Sequence, residues 1–132
     1  MQELIITATE TTPTVNFNPV NGKLELSGRS VPEDAEMFFG PLLTWLDDYS
    51  KSPAVNTELV INLEFFNISS SKRLLFMFYK FNEMIQEGKQ VKVKWMYSKN
   101  DEDILEVGKD YAFMVNVPFE FISYESKYGA VV

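Results

Sequence analysis

The side chains whose type and spacing could do chemistry lie in the stretch EFFNISSSKRLL, Glu64 to Leu75. Asn67, Ser69, Ser70 and Ser71 stand between an apolar run of strand character and an apolar run at helical spacing, so they open a helix. The first task of such residues is local, because a side-chain oxygen there accepts a hydrogen bond from a free backbone N–H of the next turn. One capping oxygen meets that need, and four polar side chains are present. Lys72 and Arg73 follow Ser69 by three and four residues, although the positive end of a helix dipole disfavours cations. They gain a role if an anion is held at that end, where a phosphorylated serine would meet free N–H groups and both cations. Capping alone and capping with phosphorylation both fit the spacing.

The helix that follows has a core stripe of Leu74, Met77, Phe78, Phe81, Met84 and Ile85. Leu75, Phe76 and Tyr79 lie outside it. Phe76 comes seven residues after Ser69 and so shares its face two turns along. It either packs under a neighbouring loop or, with Tyr79, offers an aromatic contact to a partner protein.

Other chemistry is sparse. Asp101, Glu102, Asp103 and Glu106 could suggest calcium, but counted from Asp101 the sixth loop position is not Gly and the twelfth is not Glu. The cluster reads instead as acidic residues favouring a helix N-terminus. Asp47 and Asp48 are adjacent and diverge by about 100° on a helix, so they do not form a catalytic pair. No phosphate-binding glycine loop is present. With no His and no Cys, the commonest general base, the commonest metal ligand and any thiolate nucleophile are missing. The expectation is therefore a protein that is not an enzyme and holds no metal and no cofactor.

The chain's 132 residues suit one domain, and eleven Phe with six Tyr give it a heavy core. A formal net charge of −7 disfavours nucleic acid and anionic membrane as partners and leaves a basic or neutral protein surface. The longest apolar run, Leu74 to Tyr79, is far short of the ~20 residues of a membrane span. The start, MQELIITATETT, has no basic region ahead of an apolar segment, so no secretion signal is expected. The lack of Cys suits a cytoplasmic setting.

These residues need elements to hold them. Leu4 to Ala8 reads as a strand, and Thr14 to Phe17 with Lys23 to Ser27 reads as a hairpin turning at Asn21-Gly22. Helical spacing begins near Ser30, with Ser30 or a residue just after it as cap and Pro32 in the first turn. Phe38, Leu42, Trp45, Leu46 and Tyr49 make its buried stripe, and Pro41 predicts a kink or restart. Glu58 to Phe66 has apolar residues on both alternating sets, which predicts a central strand covered on much of both faces. A long helix follows over Ser70 to Glu87, closed by Gly88. Then come the strand VKVKWMY, a helix in NDEDILEVGKDYAFM and the strand PFEFISYE. This order predicts a single α/β domain, residues 1–132, with a mixed sheet and about three helices.

Taken in order, TPTVNF, NGKLELSGRSVPEDAEMFFGPLLTWLDDY, LEFFNISSSKRLL, VKVKWMY, DEDILEVGKDYAF and PFEFISYE resemble the SiaC family of bacterial regulatory phosphoproteins, from about Thr12 to Glu125. The resemblance implies a STAS-like fold, as in anti-sigma-factor antagonists, with a phosphorylated hydroxyl at the start of a helix after a central strand. It also implies partners: a protein kinase, a protein phosphatase and an output protein, a diguanylate cyclase that promotes biofilm formation in the best-known system. The family's acceptor, usually Thr, directly follows an asparagine. Asn67, Ser69, Ser70 and Lys72 match that pattern here, but the acceptor position is Ile68. Either the acceptor has moved to Ser69 or Ser70, with Asn67, Lys72 and Arg73 beside the phosphate, or the protein binds its partner permanently. The competing class is a small hydrolase or isomerase using carboxylates, which the lack of His, of Cys and of a usably spaced pair of acids disfavours. A third option is a small-ligand-binding domain, which a deep apolar pocket with convergent polar groups would favour.

Overall fold

The structure, a computed structural model, describes residues 1–125, so the end of the expected domain, 126–132, lies outside the described residues. Its elements are β1 (Leu4–Ile6), β2 (Thr14–Phe17), β3 (Lys23–Ser30), α1 (Ala35–Lys51), β4 (Asn56–Phe66), α2 (Ile68–Gln86), β5 (Gln90–Ser98), α3 (Glu102–Met114) and β6 (Phe119–Tyr124). The strands form one sheet in chain order, β1-β2-β3-β4-β5-β6. The first three pair antiparallel, and β3 through β6 pair parallel. This is the expected mixed α/β sheet with three helices.

Local chemistry explains most of the boundaries. The β2–β3 hairpin turns at Gly22, whose φ is +73° and whose absent Cβ would lie 2.1 Å from the Asn56 carbonyl. Only glycine lets the turn press against β4, where the Glu58 N–H donates to the Gly22 carbonyl at 2.9 Å. α2 closes on Gly88 at φ +87°, with Gly88 N–H donating to Ile85 and Lys89 N–H to Met84, so its last carbonyls are satisfied in a Schellman arrangement.

Four expectations need correction. α1 starts at Ala35 with Asp34 as its cap, the Met37 N–H donating to Asp34 Oδ1 at 3.0 Å. Ser30 instead ends β3, because that strand runs on to pair with Phe65 and Phe66, and Pro32 falls in the connecting loop. The buried stripe of α1 is headed by Phe39, fully buried, while Phe38 sits half-buried at its edge. The helix also passes through Pro41 without a restart; the ring is exposed, so only one internal hydrogen bond is lost.

The fourth correction concerns β4. Leu59, Ile61 and Leu63 are buried against the helices, whereas Val60 and Asn62 are half-buried and Glu64 is exposed. The cause is topological. Right-handed crossovers that step in one direction, β3 to β4 to β5 to β6, put every connecting helix on the same face. Residues of all three helices accordingly share one apolar cluster with Phe17, Leu24, Leu26, Leu59, Ile61, Val93 and Trp95. The opposite sheet face carries polar ladders instead, with Lys94 to Glu58 at 3.0 Å and Lys92 to Glu120 at 3.1 Å. Tyr124 Oη donates to Asn62 Oδ1 there at 3.0 Å.

Candidate functional site

The serine junction lies at the carboxyl end of β4, in the middle of the parallel part of the sheet. That edge is where open α/β sheets present their sites. Asn67 is the cap of α2, its Oδ1 accepting from the Ser70 N–H at 2.9 Å, and its own N–H donates to the Ser30 carbonyl at 3.0 Å. The helix therefore begins at Ile68, two residues before the expected start. Ile68, Ser69 and Ser70 form its first turn.

The three serines have different surroundings. Ser70 is fully buried; its hydroxyl donates to the Ser30 carbonyl at 3.0 Å and so accepts from the Ser30 hydroxyl at 2.8 Å. Ser71 is half-buried against α3: Tyr111 Oη donates to the Ser71 carbonyl at 2.9 Å, which leaves Ser71 Oγ as donor to Tyr111 Oη at 2.7 Å. Burial pushes the Tyr111 phenol above its ordinary range, partly offset by the Ser71 hydrogen bond. Ser69 is exposed. Of the two serines singled out from the sequence, only Ser69 is open to solvent, and Ser70 works as an internal strut between β3 and α2.

Around Ser69 the surface is apolar and cationic. Ile68 is 90% exposed, Phe76 39% and Tyr79 45%, and Phe65 at the end of β4 is 51% exposed. At 100° per residue Ile68, Lys72, Phe76 and Tyr79 span an arc of about 80° on the outer side of α2. The Arg73 guanidinium lies 5.8 Å from the Phe76 ring centroid, and that of Arg29 lies 6.0 Å from Phe65. Among the described residues Arg29, Lys72 and Arg73 have no carboxylate within ion-pair distance. Phe76 and Tyr79 thus face solvent, and no loop among the described residues covers them.

Four participants escaped the sequence reading. Ser30 and Tyr111 each stand 40 residues from the serine they bind, and Arg29 and Phe65 meet only through strand pairing. No local pattern marks such contacts. The acidic cluster takes its bland role: Asp101 caps α3, accepting from the Ile104 N–H at 3.0 Å. An apolar cleft of about 550 Å³ between Ile6, Pro32, Met37, Phe38 and Pro41 lies at the start of α1 and does not include the serines. No helix among the described residues is long and apolar enough to cross a membrane.

Fold and site together define a small α/β domain that presents an exposed hydroxyl, free cations and exposed aromatics at one helix start. The chain belongs to the SiaC family of regulatory phosphoproteins, whose family model matches residues 6–124. An uncharacterized protein of Pseudomonas aeruginosa (strain UCBPP-PA14) is 27% identical over 119 residues, spanning 90% of this chain and 94% of its own length. Apo-SiaC from Pseudomonas aeruginosa superposes with a TM-score of 0.85 at 25% identity, over 92% of this chain and 99% of its own. SiaC from Pseudomonas aeruginosa, solved in complex with the diguanylate cyclase SiaD that it activates, superposes with a TM-score of 0.87 at 26% identity, over 92% of this chain and 99% of its own.

Proposed function

We propose that this chain is a phosphorylation-controlled interaction switch whose unmodified form binds and activates a diguanylate cyclase, with Ser69 as the acceptor. The observation that carries the choice is the division of labour among the serines: Ser70 and Ser71 are committed to Ser30 and Tyr111, and Ser69 is exposed. A partner kinase transfers the γ-phosphoryl group of a nucleoside triphosphate to Ser69 Oγ, which gives up its proton, and a partner phosphatase hydrolyses the ester back to the hydroxyl. The setting is the cytoplasm, where the triphosphate is available.

The phosphate sits in the first turn of α2, within reach of the free N–H groups of that turn and of Lys72 and Arg73 one turn on. The fold tolerates it. The interface does not, because a group of about −1.5 to −2 charges replaces a neutral hydroxyl beside Phe76. Taking such a charge out of water at the interface costs several kcal/mol, against about 8 kcal/mol for a whole micromolar complex.

Phosphate mapping by mass spectrometry after incubation with the cognate kinase tests the assignment, and modification of Ser69 is the expected result. Modification of Ser70 alone would overturn it. A second reading rests on Ile68, which is 90% exposed at the family's acceptor position and cannot be phosphorylated. Absence of phosphate from the whole segment, together with constant cyclase activation, would establish that permanently active form.

A further inference from the structure

We infer that the partner segment received by the outer face of α2 is an amphipathic helix edged with carboxylates. This rests on the reading of that face as the interface and names the chemistry of what docks there. The net charge of −7 pointed to a basic or neutral partner, but the junction itself carries the cations Arg29, Lys72 and Arg73. Lys51, Lys80, Lys92, Lys94, Lys99 and Lys109 have carboxylate partners; among the described residues Lys23 and Lys89 have none, nor do Arg29, Lys72 and Arg73, and of these five unpaired cations three fall at the junction. Two of them lie against aromatic rings, Arg73 on Phe76 and Arg29 on Phe65. A guanidinium seated on a ring keeps its N–H fork free, the geometry that takes a carboxylate in bidentate fashion.

The shape selects a helix. The backbone groups of α2 are consumed within it, so an added strand finds no edge to pair with. What α2 offers is side chains: Ile68, Lys72, Phe76 and Tyr79 follow one another at four, four and three residues, a ridge that packs into the groove of a second helix. From Ile68 to Tyr79 the ridge is about 16 Å long, three turns of a partner. The apolar face of that partner covers Ile68, Phe76 and Tyr79, and its flanking Asp or Glu side chains reach Lys72 and Arg73. A phosphate on Ser69 then acts by substitution as well, occupying the same cations that the partner's carboxylates need.

The test is the affinity of the full chain for its cognate diguanylate cyclase at low and high salt, with thermal melts as a folding control. Lys72→Glu and Arg73→Gln should each weaken binding by about tenfold and flatten its salt dependence, while Phe76→Ala weakens binding and leaves the salt dependence as it was. Hydrogen exchange on the cyclase should show protection in an acidic helical segment. If Phe76→Ala weakens the complex but the charge variants and salt do nothing, or the protected segment is basic or a strand, the acidic helix is refuted and the interface stands. If Phe76→Ala is also silent, the interface reading itself falls and this inference with it.

Discussion

Replacing each candidate serine by aspartate should separate them by stability alone, before any partner is added. Ser70 is fully buried, donating to the Ser30 carbonyl at 3.0 Å and accepting from the Ser30 hydroxyl at 2.8 Å. An aspartate there, when ionised, has no proton for the carbonyl and points negative charge at it in a site without a cation partner among the described hydrogen bonds and ion pairs. The cost of such a charge is about 3–5 kcal/mol, a large share of a total stability of about 5–15 kcal/mol. Ser70→Ala is milder, since it strands the Ser30 hydroxyl without a partner, about 1–3 kcal/mol. Ser69→Asp goes the other way: an exposed carboxylate in the first turn of α2 gains about 0.3–1 kcal/mol from the helix dipole. Urea unfolding followed by circular dichroism should therefore order the proteins as Ser69→Asp, native chain, Ser70→Ala, Ser70→Asp, from most to least stable. A Ser70→Asp variant that unfolds at the midpoint of the native chain would show that the Ser30–Ser70 pair is not a strut, and Ser70 would return as an acceptor of equal standing.

Ile68→Thr places a hydroxyl at the acceptor position that the resemblance implies, and in the proposed switch kinase treatment of that variant should yield a second phosphorylated residue, read as a new phosphopeptide by mass spectrometry. Gly108→Ala should destabilise the domain by about 1–3 kcal/mol through overpacking, since the added Cβ would stand 2.6 Å from the Trp95 indole; a shift in tryptophan fluorescence with the lowered urea midpoint is the readout. Alkaline pH should also destabilise the fold. Burial raises the Tyr111 phenol above its ordinary value, so its contribution is full below the unfolded pKa of about 10 and is lost as pH rises through the folded value. Urea midpoints should be flat between about pH 7 and 9 and fall above 10, and Tyr111→Phe should shrink the fall without abolishing it, because burial raises Tyr124 as well.

The elements were legible because each is announced by local chemistry. Asn21-Gly22 marks the hairpin, Gly88 the end of α2, and the spacing of Leu74, Met77, Phe78, Phe81 and Met84 its buried side. What was misread is set by neighbours in space. Ser30 has the chemistry of a cap, but β4 draws it into the sheet and Ser70 takes its hydroxyl. The even positions of β4 contain Val60 and Phe66, enough apolar character to imitate a strand covered twice. Only the direction in which successive crossovers step decides that one sheet face stays open, and that is a property of strand order.

The site shows the same division between what is local and what is not. That one of Ser69 and Ser70 faces solvent and the other the core follows from their 100° separation once the helix is known to start at Ile68; which is which depends on the phase of the buried stripe. In the proposed switch that phase has a consequence for Ile68. The acceptor position that the resemblance implies would join two properties at one residue, a position in the proposed docking face and a hydroxyl to modify. Here they are split between neighbours. Ile68 lies within about 20° of Tyr79 and 40° of Lys72, so its 90% exposed side chain extends the apolar ridge. Ser69 lies within about 20° of Phe76 and 40° of Arg73, so a phosphate there stands at the ridge's edge, above a ring and beside a guanidinium.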